Sequence, residues 1–173
     1  MNRLIFELSG PNFDLAEAEV ISVFEGSNFN YSSPLSHKGI FSLKTSVSPL
    51  QIGRRLGLTH RILSDGIIAK QDEIKNKDID MNLSEGTAAV RTRKIGGTKA
   101  NTMEIKKSLG DIISANNEID LDDPEHEILT LISDKCAIGR IVYKKNKKSF
   151  RSREVKNRPY FSPISLEPKY ART

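Results

Sequence analysis

The stretch Thr87–Ile95, TAAVRTRKI, decides how the second half of the chain folds. Successive side chains of a β-strand point to opposite faces, so Arg91 and Arg93 share one face while residues 88, 90 and 92 share the other. Glycines at positions 96 and 97 end the pattern, because glycine weakens regular structure and suits a turn. We therefore predict a strand over residues 87–95, followed by a turn.

A helix and two more strands are predicted beyond this turn. Asn101 suits the N-cap of a helix, with Glu104 three residues on as in a capping box. The buried stripe of that helix is predicted to consist of Ile105, Leu109, Ile112 and Ile113. Residues 128–132 are apolar on both faces and indicate a central strand, and residues 137–143 indicate another. This part of the chain is thus predicted to be an α/β unit with a mixed sheet.

The first 65 or so residues carry a second, independent pattern. We predict a strand at 3–8, a helix at 12–25, strands near 28–33 and 39–45 around a turn with Pro34, a short helix after Ser48-Pro49, and a strand at 59–63. This β-α-β-β-α-β order is the ferredoxin-like one. The predicted fold class is therefore α+β: a ferredoxin-like domain at 1–68, a charged linker at 69–82, the α/β domain at 83–146, and a basic linker at 147–173.

The composition and motifs of the chain exclude several kinds of site. Its 173 residues are 37% hydrophobic and 28% charged, which suits small α/β units with limited cores. A single cysteine, Cys136, excludes an internal disulfide and a multi-cysteine zinc site, and we interpret it as a small buried apolar residue. No glycine-rich cofactor loop and no catalytic triad spacing is present, so we assign no catalytic, cofactor-binding or metal-binding residue. A charge interrupts the N-terminus before a hydrophobic segment develops, so we expect a cytoplasmic protein without signal peptide or membrane span.

Positive charge is concentrated at the C-terminal end. Residues 1–134 hold 15 Lys/Arg against 20 Asp/Glu, whereas residues 135–173 hold 12 against 2. The densest run, 144–153, is KKNKKSFRSR, and its candidate contacts to a polyanion are Lys144, Lys145, Lys147 and Arg151. Such a run attracts phosphate backbones. The alternative is a solvated linker that is merely basic. Phe150, Tyr160 and Phe161 lie in and after the run; aromatic rings beside cations can stack on unpaired bases, but we favour docking of Tyr160 and Phe161 onto a neighbouring domain.

A second basic candidate is the end of the predicted strand. Arg91 and Arg93 offer forked donors for phosphate, and Lys94 and Lys99 lie close in sequence. The helix that follows the glycine turn would add backbone amides at its N-terminus. The alternative is an exposed edge strand that carries cations for solubility. A third basic candidate is Arg54-Arg55 with His60 and Arg61. Arginines on a short surface helix usually face solvent, and a histidine beside a strand is more often structural than catalytic, so we favour a surface role for this group.

Several segments together resemble a known family. Residues 88–96 (AAVRTRKIG), 105–110 (IKKSLG), 119–124 (IDLDDP) and Ile138-Gly139 look like a THUMP domain, which occurs in tRNA-modifying enzymes. Residues 4–10 (LIFELSG) and 55–61 (RLGLTHR) resemble the ferredoxin-like domain that precedes THUMP in archaeal-type tRNA guanosine-10 N2-methyltransferases. Residues 158–172 are similar to the segment that opens their methyltransferase domain.

The resemblance implies that tRNA binding and catalysis are carried out by different domains. In that family the THUMP region docks on the tRNA acceptor stem and 3′ end, and a catalytic domain uses S-adenosylmethionine at an Asp/Asn-Pro-Pro-aromatic motif. The nearest sequence here, Asp123-Pro124-Glu125, departs from that motif. The resemblance therefore implies a THUMP domain at 83–146, and a chain truncated before its methyltransferase domain, which would follow on this chain or on a partner.

From the resemblance we expect a tRNA-binding module without activity of its own. The alternatives are the tRNA-binding region of a thiouridine synthetase, a stand-alone adaptor that recruits an acidic partner, and a complete small enzyme. The absence of cofactor motifs argues against the last of these.

Overall fold

The computed structural model describes residues 1–75, 83–98 and 100–146, together with residues 157 and 170. Its elements in chain order are β1 (Asn2–Leu8), α1 (Phe13–Glu25), β2 (Tyr31–His37), β3 (Ile40–Thr45), α2 (Pro49–Gly53), β4 (Thr59–Ala69), α3 (Gln71–Lys75), β5 (Thr87–Lys94), α4 (Thr102–Ser114), β6 (Glu118–Ile119), β7 (His126–Ile132) and β8 (Cys136–Lys144). The first six elements follow the predicted β-α-β-β-α-β order.

The eight strands of the described residues belong to one sheet, in the order β2-β3-β1-β4-β8-β7-β5-β6. The first four strands are antiparallel in the order 2-3-1-4, which is the ferredoxin-like arrangement. In the other half, β5 is parallel to both β6 and β7, whereas β7 and β8 are antiparallel. The predicted α+β class with a mixed sheet is therefore confirmed.

The antiparallel pair β4–β8 joins the two halves of the sheet. Its register shifts between Ser64 and Ile67, where Asp65 has a φ of 53°. The extra residue of this bulge lets Ile62 and Ala69, seven positions apart, face the same side of the sheet. Each of them packs into a helix-covered core, Ile62 with α1 and α2, and Ala69 with α3 and α4.

The described helices all pack on this one side. Alternate residues of β1 and β5, such as Phe6 and Val90, are buried beneath them. A third core on the opposite side contains Ile5, Leu63, Leu129 and Leu131, and of the described helices only α1 reaches it, through its first residue, Phe13.

The sheet is strongly curled around this third core. Lys38, in the turn between β2 and β3, donates from Nζ to the Gly96 carbonyl at 3.3 Å, and His37 Nδ1 lies 3.8 Å from Asp134 Oδ2 in the β7–β8 turn. Five strand spacings separate β3 from β5, which would amount to about 24 Å in a flat sheet. The contacts therefore require that the side of the sheet that carries this third core be concave. We call it the concave face.

Strand β2 and helix α3 differ from the sequence prediction. Strand β2 begins at Tyr31, because residues 27–30 form the exit turn of α1, and it continues through the predicted turn at Pro34. Pro34 is tolerated because β2 is an edge strand, irregular at Ser33. Within the predicted linker 69–82, α3 forms because Ile74 is fully buried against the core of α4.

We predict that Gly39→Ala is more destabilising than Gly97→Ala. Both glycines have positive φ, 73° and 76°, so each substitution should cost about 1–2 kcal/mol in backbone strain. At position 39 alone, the added methyl group would meet Ile95 Cγ2 at 2.5 Å and the Phe13 ring at 3.1 Å, which should add about 1–3 kcal/mol. Urea unfolding of both variants measures the difference. Equal losses would show that the hairpin does not pack against the end of β5.

A second prediction concerns Cys136, which is buried as the sequence suggested. Burial raises the pKa of its thiol from 9.0 to about 11. The folded state keeps the thiol protonated while the unfolded chain ionises it, so stability present below pH 9 should fall as the pH rises towards 11, by up to about 2–3 kcal/mol. Urea unfolding at pH 8 and pH 10.5 measures the loss. The decrease in unfolding free energy between the two pH values should be smaller in Cys136→Ala than in the wild type, because the variant has no thiol to ionise. An equal decrease in both proteins contradicts the prediction.

Candidate functional site

The concave face brings together the two arginines that the sequence placed on one face of β5. Arg91 and Arg93 are opposite Leu129 and Leu131 of β7, both of which belong to the concave core. Their side chains are 44% and 43% exposed. Two residues along one strand place them about 7 Å apart at the backbone. Each arginine contacts a different glutamate.

Glu7 of β1 binds two arginines from opposite directions. Its side chain is only 1% exposed; Oε2 accepts a hydrogen bond from Arg61 Nη1 at 2.7 Å, and Oε1 lies 2.9 Å from Arg93 Nη1. The second contact is an ion pair without hydrogen-bond geometry. Strands β1 and β5 are four positions apart in the sheet, about 19 Å if it were flat, so the curl is what makes this contact possible. We call Glu7, Arg61 and Arg93 the Glu7 triad.

Glu127 of β7 forms a similar group next to it. Oε1 lies 3.9 Å from Arg91 Nε, and Oε2 contacts Lys144 Nζ. Arg91 is further held by a 2.7 Å hydrogen bond from Nη2 to the carbonyl of Leu121. Lys144 is opposite Arg61 in the β4–β8 register, so it lies on the concave face. We call Glu127, Arg91 and Lys144 the Glu127 triad.

Each triad holds one carboxylate against two cations and therefore carries a net charge of +1. Arg3 and Lys44 are opposite each other in the β1–β3 register and extend the same face along β1. An arginine has five N–H donors, and one contact to a carboxylate leaves others available. The concave face is therefore a basic surface on which the triad cations are held in place by acids, and it can bind extended anions such as phosphates.

Two other predicted basic residues, Lys94 and Lys145, are not part of this surface. Lys94 is opposite Ile132 and lies on the helix-covered side. Lys145 contacts the Gly57 carbonyl through Nζ, and its backbone amide donates to the carbonyl of His60. The predicted residues Lys99, Lys147 and Arg151, like the aromatic residues Tyr160 and Phe161, lie outside the described residues.

The start of α4 does not support the predicted anion site at a helix N-terminus. Asn101 is the N-cap, as predicted, and its Oδ1 accepts from the amides of Met103 at 3.2 Å and Glu104 at 3.4 Å. Two of the first-turn amides are thus bound by the helix's own cap. Glu104 also places a negative charge there and pairs with Lys75 at 3.1 Å.

Sequence reasoning missed three members of the triads: Glu7, Arg61 and Glu127. A charged residue within the apolar strand Leu4–Leu8 was a detectable signal, because a buried carboxylate requires cationic or hydrogen-bonding partners. Arg61 was grouped with the arginines of the short surface helix and interpreted as a surface residue, and its partner is distant in sequence. Only the curled sheet reveals that it shares that partner with Arg93.

The remaining polar features lie elsewhere. A cavity of about 430 Å³ near Asp65 and Arg140 is lined by none of the residues of the two triads. In the 120–124 loop, the amides of Asp122 and Asp123 lower the pKa of Asp120 below its usual value. Over the part of the chain that the structure describes, no three His, Cys, Asp or Glu side chains are grouped as metal ligands, and no helix has the length and apolarity needed to span a membrane.

Fold and site together define an α+β protein with a curled mixed sheet and a basic concave face. No protein-family model matches the chain. It is 27% identical over 172 residues to the tRNA (guanine(10)-N2)-dimethyltransferase of Methanothermobacter thermautotrophicus, a match that covers 95% of this chain and 51% of that protein. The chain thus spans about half the length of this curated relative.

Solved structures show the same fold. PH1313 from Pyrococcus horikoshii Ot3 superposes with a TM-score of 0.53 at 18% identity, covering 81% of this chain and 54% of PH1313. TrmN from Thermus thermophilus superposes with a TM-score of 0.55 at 12% identity, covering 84% of this chain and 46% of TrmN. At these identities the likeness shows the fold alone.

We predict that Asn101→Ala lowers the free energy of unfolding by about 1 kcal/mol, because two amides of α4 lose their acceptor. Asn101→Asp keeps an acceptor oxygen and should stay within a few tenths of a kcal/mol of the wild type. Chemical denaturation of both variants measures the effect. If the alanine variant is as stable as the wild type, the cap does not stabilise α4.

Proposed function

We propose that this chain is a tRNA-binding module of a tRNA guanosine N2-methyltransferase, which holds the acceptor stem and 3′ end for a catalytic domain. Two observations support the proposal. The concave face presents ordered cations in excess over acids, and the chain is similar over 95% of its length to a tRNA dimethyltransferase. The first of these carries the argument, because it supplies the physical means of binding RNA.

The concave face suits a ribose–phosphate strand. Cations that neutralise phosphates release counterions, which contributes affinity without reading the base sequence. Arg91 and Arg93 are spaced along β5 at a distance comparable to that between successive phosphates of one nucleic-acid strand. Selectivity for tRNA would then come from the shape of the acceptor end and its free 3′ strand.

The proposal assigns RNA binding to one part of the chain and attachment of the catalytic domain to another. Residues 83–146 would form a THUMP domain next to the ferredoxin-like domain, and the basic segment that includes Lys145, Lys147 and Arg151 would connect them to the catalytic domain. S-adenosylmethionine would supply the methyl group in that domain. The residues present here do not fit such a site, since Asp123-Pro124-Glu125 lies in an exposed loop and lacks the motif, so we assign this chain no catalytic step. The cytoplasm is the compartment we expect.

We predict that the double variant Arg91→Ala, Arg93→Ala binds intact tRNA at least about ten-fold more weakly than the wild type, because both triads lose a guanidinium group. The matched control is Lys106→Ala, Lys107→Ala, which removes two positive charges from α4 on the helix-covered side. Fluorescence anisotropy at several salt concentrations measures both. The wild-type slope of log affinity against log salt should be about −3 to −5, as expected for four to six neutralised phosphates.

Other results would favour other functions. Equal losses in the two double variants would mean that net charge, rather than the concave face, binds the RNA. If tRNA lacking its 3′ end binds as well as intact tRNA, the protein is better described as an adaptor. Methyl transfer by the isolated chain would indicate a complete enzyme, and a pyrophosphatase-type loop encoded after Thr173 would indicate a thiouridine synthetase.

A further inference from the structure

The most unusual group on the concave face is the carboxylate of Glu7. It is 1% exposed and lies on β1 between strands β3 and β4, where an apolar residue would avoid the cost of burying a charge. Replacing a buried ion pair by apolar residues is often neutral or stabilising, so stability alone does not explain its presence. The two arginines that it contacts remain 27% and 43% exposed.

The geometry brings these two arginines close together. Arg61 Nη1 lies 2.7 Å from one oxygen of Glu7 and Arg93 Nη1 lies 2.9 Å from the other, so the two nitrogens are no more than about 8 Å apart. Arg61 belongs to β4 and Arg93 to β5, strands that are three positions apart in the sheet. A single buried carboxylate thus gathers cations from two distant strands.

We infer that Glu7 is a positioning residue that holds Arg61 and Arg93 as one binding site for a single phosphodiester group of the RNA, an inference that rests on the proposed function. The triad carries a net charge of +1, which one phosphodiester neutralises. Both guanidinium groups keep N–H donors beyond those that contact Glu7, so they can bind the two free phosphate oxygens together. Arg61, which the sequence placed on the surface, becomes part of the binding site.

The test is Glu7→Gln, because charge and positioning predict opposite results. The substitution removes a negative charge from the binding face, so an electrostatic effect alone would tighten tRNA binding. Loss of positioning should instead weaken it about three- to ten-fold. It should also make the salt slope shallower by about 0.7–0.9, as expected for the loss of one phosphate contact.

The control is Glu85→Gln, which makes the same change of charge at an exposed residue before β5. We expect it to bind tRNA as tightly as the wild type or slightly more tightly. Circular dichroism and urea unfolding establish that both variants are folded. If Glu7→Gln does not fold, Arg61→Lys keeps the charge but loses the fork, and should weaken binding by about three-fold or more.

The outcomes separate this inference from the proposed function. If the wild type binds no tRNA, both fall. If it binds and the Arg91/Arg93 double variant binds at least about ten-fold more weakly, the proposed function stands. Wild-type affinity or better in folded Glu7→Gln, with an unchanged salt slope, then overturns the positioning role. Weaker binding with an unchanged slope also overturns it, because a merely structural role lowers the binding-competent fraction without removing a phosphate contact.

Discussion

The pairing of β4 with β8 is the interaction on which the rest of the structure depends. It is the seam where the antiparallel ferredoxin-like half meets the half that contains the parallel strands. The bulge at Asp65 preserves the facing of side chains across that seam, so the helices of both halves cover one side. Without that register the apolar residues of β4 would face the wrong way over half its length.

The curl of the sheet brings charged residues of distant strands close together on the concave face. Residues from β1, β4, β5, β7 and β8 would be spread over a wide plane if the sheet were flat. Curling brings Glu7 to Arg93 and closes the hairpin turn at Lys38 against Gly96. The charged residues of the concave face therefore owe their proximity to backbone geometry, and their order to carboxylates that are buried or partly buried among them.

Sequence reasoning anticipated most of the elements because their signals are local. Helix α4 (Thr102–Ser114) has its cap, Asn101, and its apolar stripe in the sequence, and the alternation of residues 88–93 placed Arg91 and Arg93 on one face. It did not anticipate the partners of those arginines. Glu7 and Arg93 are 86 positions apart in sequence, and their contact depends on strand order and curvature, which no local pattern encodes. The short helix α3 was missed for a related reason, since a single apolar residue, Ile74, anchors it.

Lys144 has a position whose consequence reaches beyond the described sheet. It is the last residue of β8 and at the same time a member of the Glu127 triad, so the polypeptide leaves the sheet beside the basic surface. The polypeptide after residue 146 is therefore tethered to the sheet next to the concave face. A short linker gives two joined modules a high effective concentration and limits the distance between the sites at which they act. The reach of any domain joined after β8 would therefore be measured from the edge of the basic concave face. The number of residues between β8 and such a domain would set where on a bound molecule that domain can act.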